Sequence, residues 1–142
     1  MIYVIGDIHG DKEKFDSMME KLSPTDKDTV FVLGDVINIG NSSVELLQDM
    51  MYRANVYPVL GEHEYMAKKI FPLICGFSTI DEAKDNLSGE DKELFLKWLS
   101  MKSEKTTEDF LSLKAEIIAL THKIPFVEMK YYGFPDNWQN LI

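Results

Sequence analysis

The chain has 142 residues, of which 45% are hydrophobic and 11% aromatic, and its formal net charge at pH 7 is −9. This composition excludes a disordered chain, and the length predicts a single domain over residues 1–142. The acidic balance argues against a surface for nucleic acid or for an anionic membrane, so neither is an expected partner.

The apolar segments and the single cysteine predict a cytoplasmic protein. One cysteine, Cys75, cannot form an internal disulfide, which is consistent with a reducing compartment. Its apolar neighbours predict that Cys75 is buried. Asp7, His9 and Asp11 interrupt the first apolar segment, so we do not expect a signal peptide there. No apolar run approaches the roughly 20 residues that a membrane span requires.

The first strand and the first helix are predicted from a change of periodicity. Residues 2–5 form a short apolar run that ends in a glycine, typical of a strand. Residues 11–22 then follow the spacing of an amphipathic helix, and Ser23 and Pro24 predict its end. The inward face of this helix would carry Phe15, Met18, Met19 and Leu22.

A second strand and helix follow the same order. Residues 29–33 are a continuous, β-branched apolar run, typical of a strand that is buried on both faces. Residues 41–43 offer helix N-caps. The helix that they open would turn Val44, Leu47, Met50 and Met51 inward.

The third strand completes an alternating pattern. Residues 56–60 predict a strand, although Pro58 argues against a central position in the sheet. Alternating strands and helices predict an α/β fold, a parallel sheet with flanking helices. Residues 1–70 would form this βαβαβ part, and residues 71–142 a helical part.

The helical part contains two predicted helices and one segment that has two possible interpretations. Residues 88–91 resemble a capping box and would open a helix containing Trp98, which we expect in the core or at an interface. Residues 106–109 could cap another helix. Residues 117–122 either continue that last helix or form a strand that ends at a metal ligand, His122. Helical periodicity favours the first interpretation. Trp138 is also expected to be a core or interface residue.

All three predicted strands run into a glycine followed by an acid or an imidazole. The sequences are Gly-Asp-Ile-His-Gly at residues 6–10, Gly-Asp at residues 34–35 and Gly-Glu-His-Glu at residues 61–64. Each could be a mere turn, but the carboxyl ends of parallel strands meet at one edge, where ligands bind. Carboxylates and imidazoles without cysteine suit Mn²⁺, Fe²⁺, Zn²⁺ or Mg²⁺.

These residues predict a centre with two metal ions. Asp35 at the central strand end could bridge two ions about 3.5–4 Å apart, as in two-metal phosphate chemistry. One ion would take Asp7, His9 and Asp35, and the other would share Asp35 and take Glu62. His63 would then be placed to protonate a leaving alkoxide as a general acid. We expect Glu64 to be a structural hydrogen-bonding residue rather than a ligand.

The three motifs together resemble those of the calcineurin-like metallophosphoesterases. More narrowly, they are similar to the phosphoprotein phosphatase branch, which includes the symmetrical diadenosine tetraphosphatases. The family patterns are Gly-Asp-x-His-Gly, Gly-Asp-x-x-Asp-Arg-Gly and Gly-Asn-His-Glu, and the chain has Gly-Asp-Val-Ile-Asn-Ile-Gly at residues 34–40. The resemblance covers residues 1–70 closely and the remainder loosely. It implies a layered metallophosphoesterase sheet and two divalent metal ions.

Three departures from the family patterns lie at positions that the family uses for catalysis, phosphate binding or metal binding. Asn38 replaces the aspartate that orients the catalytic histidine, and an amide cannot stabilise an imidazolium. Ile39 replaces the arginine that binds the substrate phosphate, and the isoleucine side chain has no hydrogen-bond donor. Glu62 replaces an asparagine ligand of the second metal. The resemblance therefore implies an enzyme whose activity is weakened, altered or lost, in which the first metal site is better preserved than the second.

The downstream ligands of the family are also missing. Family members supply two more histidines, the last in a Gly-His pair, and a second arginine, whereas the only later histidine here is His122. We therefore expect a shortened phosphatase with the N-terminal half of the family sheet. Such a sheet would leave apolar surface uncovered, which favours a homo-oligomer.

The sequence supports two hypotheses about function. The first is a metal-dependent phosphoesterase acting on a phosphoprotein, a dinucleotide or a small phosphate ester, with His63 and Asn38 as its catalytic pair and manganese as one candidate metal. The alternative is a non-catalytic relative that keeps one metal site and serves as an interaction module.

Overall fold

Three parallel strands form the sheet of this protein. The fold comes from a computed structural model that describes residues 1–121, with side chains described through residue 114. The strands are β1 (Ile2–Gly6), β2 (Thr29–Leu33) and β3 (Val56–Val59), in the order β1-β2-β3. The predicted parallel α/β arrangement is confirmed. Pro58 lies on β3, an edge strand of this sheet, where a missing N–H is tolerated.

Six helices accompany the sheet within the described residues. Two of them are the crossovers that make parallel pairing possible. The others follow the third strand. The helices are α1 (Lys12–Leu22), α2 (Ser43–Tyr52), α3 (Glu62–Ile74), α4 (Ile80–Asn86), α5 (Gly89–Leu99) and α6 (Glu104–Thr121).

Helix α1 forms as its periodicity predicts. The Asp11 carboxylate caps it by accepting a hydrogen bond from the Lys14 N–H at 2.9 Å. Ser23 ends the helix in the left-handed conformation, with a φ of 42°. Phe15 and Met19 are buried in the hydrophobic core, while the predicted Met18 and Leu22 are half-buried.

Helix α2 is rotated relative to its predicted face. Leu46, Leu47 and Met50 are buried, whereas Val44 and Met51 are only half-buried. Six of the ten residues of this helix are apolar, and they are spread over two neighbouring stripes, so periodicity alone could not decide which stripe is buried. The stripe that contains Leu46 is the one that is buried, because α2 packs against β3.

Only one face of the sheet lies in the hydrophobic core. Val30 and Val32 of the central strand are fully buried, and Ile5 and Val56 lie beside them on the neighbouring strands. The opposite face carries side chains that are largely exposed, including Val4 at 60% and Leu33 at 51%. The prediction that residues 29–33 are buried on both faces is therefore wrong for the described structure. The exposed apolar face consists of Ile2, Val4, Leu33, Tyr57 and Val59.

The chain after β3 differs most from the prediction. Helix α3 begins at Glu62, so the third motif forms the first turn of a helix. Helix α4 was not predicted. Cys75, expected to be buried, is exposed, because it lies just beyond the last turn of α3, where its thiol donates to the carbonyl of Pro72 at 3.3 Å.

The last two helices are joined by buried polar contacts. Trp98 is fully buried, as expected, and its indole N–H donates to the Thr107 hydroxyl at 2.8 Å. Helix α6 begins at Glu104, two residues before the predicted cap, so Thr106 and Thr107 lie inside it. Ser88 precedes α5 but makes no side-chain capping bond. His122 and Trp138 lie outside the described residues.

No helix in the described part of the chain is both long and apolar enough to cross a membrane.

The exposed apolar face predicts self-association through a second copy of the chain. Light scattering at micromolar concentration should give a mass above the 16.4 kDa of one chain. A Val4→Lys, Val59→Lys variant should shift this mass towards the monomer, because both side chains lie on the face. Leu96→Lys, at an exposed position on α5, is the matched control. A monomeric wild-type chain would contradict the prediction.

Candidate functional site

The loops that follow β1 and β2 are tied together by backbone hydrogen bonds at the carboxyl edge of the sheet. The His9 N–H donates to the Asp35 carbonyl at 3.0 Å, and the Gly10 N–H to the Val36 carbonyl at 2.6 Å. The Gly40 N–H returns a bond to the His9 carbonyl at 2.8 Å. Two of the three predicted motifs therefore form one connected surface.

The third motif joins this surface through Asp35. The first turn of α3 carries Glu62, His63 and Glu64, and the His63 N–H donates to the Asp35 carboxylate at 3.3 Å. A carboxylate at a helix N-terminus satisfies a free N–H and complements the helix dipole. Asp35 is thus the residue that all three strand ends share.

Gly61 allows this close approach. A Cβ at position 61 would lie 2.3 Å from the Asp35 nitrogen and 2.6 Å from its carboxylate oxygen Oδ1. Both distances are far shorter than any ordinary contact, and the first involves backbone that cannot move aside. The glycine before the third motif is therefore required by packing.

The site loops contain an unusual number of left-handed residues. Asp7, His9, Asp35, Asn38 and Ile39 all have positive φ, between 47° and 72°. Asp and Asn tolerate this conformation, but a β-branched residue such as Ile39 does so at a cost of about 1–3 kcal/mol. Half of the Ile39 side chain is exposed, so burial recovers only part of that cost.

The catalytic pair predicted from the sequence is in contact. The Asn38 amide nitrogen Nδ2 lies 2.9 Å from Nδ1 of His63. In this orientation the amide donates to a neutral imidazole whose proton is on Nε2. The amide oxygen Oδ1 is buried and has no hydrogen-bond partner among the residues that the structure describes. Turning the amide over would bring Oδ1 to Nδ1, which requires a proton on Nδ1.

A chain of hydroxyl groups connects this pair to α6. The Asn38 N–H donates to the Ser43 hydroxyl at 2.8 Å, and the Thr106 hydroxyl donates to the same oxygen at 2.8 Å. The neighbouring Ile39 N–H donates to the Lys102 carbonyl at 3.0 Å. Sequence reasoning considered Ser43 and Thr106 only as helix caps and missed this contact, because a hydroxyl residue at a predicted helix end carries no signal of a long-range partner.

The predicted metal ligands share the edge but are not gathered into a cluster. Asp7 and Glu62 are exposed, and His9 and Asp35 are half-buried. Among the described residues, no three His, Cys, Asp or Glu side chains are arranged to hold an ion. Nδ1 of His9 is buried and has no hydrogen-bond partner within the described part of the chain, and the donors are of the kinds that bind divalent ions. The residues thus fit metal ions in chemistry and location, but not in their present side-chain arrangement.

Comparison with known proteins places the chain among phosphoesterases. The family model for calcineurin-like phosphoesterase matches residues 1–140. The symmetrical bis(5'-nucleosyl)-tetraphosphatase of Wigglesworthia glossinidia brevipalpis is 31% identical over 100 residues, which cover 68% of this chain and 36% of the relative. The enzyme of the same name from Chromobacterium violaceum is 33% identical over 103 residues, covering 69% and 36%.

A third relative of that name aligns over more of the chain. The Acidovorax ebreus protein is 25% identical over 169 aligned positions, which cover 96% of this chain and 58% of the relative. The chain thus spans about 36% of the length of the first two relatives and 58% of the third.

Gly61→Ala should destabilise the protein. We expect a loss of about 1–3 kcal/mol in the free energy of unfolding, since the new methyl group must push Asp35 and its loop away. Urea denaturation followed by circular dichroism measures this. Gly76→Ala is the matched control, because a Cβ there meets nothing within 4 Å. Equal stability of the two variants would contradict the close approach.

Ile39→Asn should stabilise the protein by about 1 kcal/mol, because asparagine adopts the left-handed conformation at lower cost. Thermal denaturation measures the effect. Ile2→Asn makes the same exchange at an exposed isoleucine with ordinary backbone, and should be neutral or destabilising. A destabilised Ile39→Asn variant would show that the isoleucine side chain contributes more than its conformation costs.

Proposed function

The chain belongs to the calcineurin-like phosphoesterase family, and on that premise we propose that it is a metal-dependent hydrolase of phosphate esters or anhydrides. The observation that carries the proposal is the convergence of three strand ends on Asp35. Its carbonyl accepts the His9 N–H, and its carboxylate accepts the His63 N–H. Residues with acid, base and ligand chemistry therefore share one exposed edge.

Asp7, His9 and Asp35 would hold one divalent ion, and Asp35 and Glu62 would hold the second. Bound at this edge, such ions supply Lewis acidity and an activated water for attack on phosphorus. Manganese, iron, zinc and magnesium all suit the donors. The first site has the more complete donor set, and Glu62 brings more negative charge to the second than a neutral ligand would.

His63 is the proposed general acid towards the leaving oxygen. It must carry a proton on both ring nitrogens to donate one from Nε2, and the second proton then needs an acceptor at Nδ1. Asn38 meets that need only with its oxygen turned towards the ring, and even then it offers a neutral acceptor. A carboxylate at position 38 would hold the charged ring more strongly, which is why we expect slow turnover.

The proposed substrate is a phosphorylated small molecule. The relatives are named as tetraphosphatases of bis(5'-nucleosyl) compounds, so a dinucleoside polyphosphate is the first candidate and a simple phosphate monoester the second. A dinucleoside polyphosphate would be cleaved at a phosphoanhydride bond. Ile39 offers no donor to the phosphate, so its binding would depend on the metals and on backbone N–H groups. We also propose a cytoplasmic location, because the chain cannot form an internal disulfide.

The second candidate is a metal-binding module without catalysis. It is favoured by the unpartnered Oδ1 of Asn38, by the lack of a donor at Ile39 and by the ungathered ligands in the described residues. The two candidates differ in one measurable property, since both bind metal but only one turns over substrate.

Hydrolysis of diadenosine tetraphosphate and p-nitrophenyl phosphate with and without Mn²⁺ tests the proposal. We expect slow, metal-dependent turnover that His63→Ala lowers by about 100-fold, the usual scale of general acid catalysis. Asn38→Asp should raise kcat by roughly 10-fold, because a carboxylate stabilises the protonated imidazole. Asn86→Asp makes the same change on α4 and should leave the rate unaltered.

The outcomes separate the two candidates. Turnover that is independent of Mn²⁺ or of His63 would refute the proposed mechanism. Calorimetry that shows tight Mn²⁺ binding, without turnover in either the wild type or Asn38→Asp, would favour the module.

A further inference from the structure

Glu64 is the one charged residue that is buried within residues 1–114. Only 2% of its surface is exposed, although it lies in the first turn of α3, next to the exposed Glu62. Burying a carboxylate is unfavourable unless hydrogen bonds replace its water. Hydrogen bonds within the protein must therefore compensate for the burial of the Glu64 carboxylate.

Four backbone N–H groups satisfy the Glu64 carboxylate. Oε2 accepts from Asp35 at 3.0 Å and from Gly61 at 3.2 Å. Oε1 accepts from Val36, and from Ile37 at 3.3 Å. A carboxylate offers about four acceptor positions, so all are occupied. Glu64 has no lone pair left for a metal ion, which confirms its predicted structural role.

These bonds hold the loop after β2 in an otherwise unfavourable shape. Asp35 has a φ of 47°, and three consecutive N–H groups, at residues 35–37, point to the same anion. Successive N–H groups of this kind form an anion-binding concavity. Without the carboxylate they would be left without their partner in a largely buried loop.

We propose that Glu64 is a positioning residue: by binding the N–H groups of residues 35–37 and 61, it holds Asp35 so that its carboxylate faces the site. The consequence for metal binding and catalysis rests on the proposed function. The other contacts of Asp35 lie at its carbonyl and its carboxylate, so Glu64 alone restrains its nitrogen among the described contacts.

Glu64→Gln tests this role with little change of shape. Glutamine keeps the length of the side chain but has one acceptor oxygen, and its NH₂ group would face N–H donors. We expect amide hydrogen exchange at residues 35, 36, 37 and 61 to become at least about 10-fold faster, while exchange at Val30 and Val32 in the central strand stays unchanged. Affinity for Mn²⁺, measured by calorimetry, should fall by about 10-fold, the usual scale for residues that orient ligands.

Glu82→Gln is the matched control. Glu82 also accepts a backbone N–H near a helix N-terminus, from Ser78 at 2.9 Å, but it is exposed and lies on α4. Its substitution should leave exchange at residues 35–37 and Mn²⁺ affinity unchanged. If Glu64→Gln does not fold, Glu64→Asp provides the same measurements, because it keeps the charge but cannot reach all four donors.

Two results would overturn the proposal. The first is unchanged exchange at residues 35–37 in a folded Glu64 variant. The second is faster exchange across the whole sheet with unaltered Mn²⁺ affinity, which a purely structural residue would produce. A wild-type chain that binds none of Mn²⁺, Fe²⁺, Zn²⁺ and Mg²⁺ would refute the proposed function, and the exchange measurement would still decide whether Glu64 holds the Asp35 loop.

Discussion

The hydrogen bonds that meet at Asp35 are the constraint on which the site depends. Its nitrogen is bound by Glu64, its carbonyl by His9 and its carboxylate by His63, so three distant segments are joined at one residue. Gly61 makes the convergence possible because no side chain separates the two loops. The parallel sheet brings the strand ends to one edge, and these bonds then set the distances between them.

Hydrogen bonds hold the left-handed residues of these loops in their unfavourable backbone conformations. Left-handed residues persist only where the surroundings determine their conformation. Here the loop after β2 is held at both ends, by Glu64 at residues 35–37 and by Ser43 and Lys102 at residues 38–39. Thr106 extends this support from the helical part of the chain to Asn38. Helix α6 and the turn before it therefore contribute to the site without supplying any of its predicted ligands.

Much of the site could be predicted because it follows from order along the chain. Strands that end in glycine and an acid or imidazole lie at one edge of any parallel sheet, so the meeting of Asp35 and His63 required no knowledge of packing. The pairing of Asn38 with His63 came from a family resemblance and is present as a hydrogen bond. The partners of Glu64 and Ser43 could not be predicted, because backbone N–H groups and hydroxyls leave no pattern in the sequence.

The sequence by itself determined the α/β order of the elements, the strand ends that carry the site, and the three substitutions at Asn38, Ile39 and Glu62. The first two are local properties, set by periodicity and residue chemistry, whereas the substitutions are departures from the patterns of the family that the sequence resembles. Only the tertiary structure decided which stripe of α2 is buried, that Cys75 and one face of the sheet are exposed, and that Glu64 binds the Asp35 loop. Burial and hydrogen bonding between distant residues depend on which segments meet in space, and no local pattern contains that information.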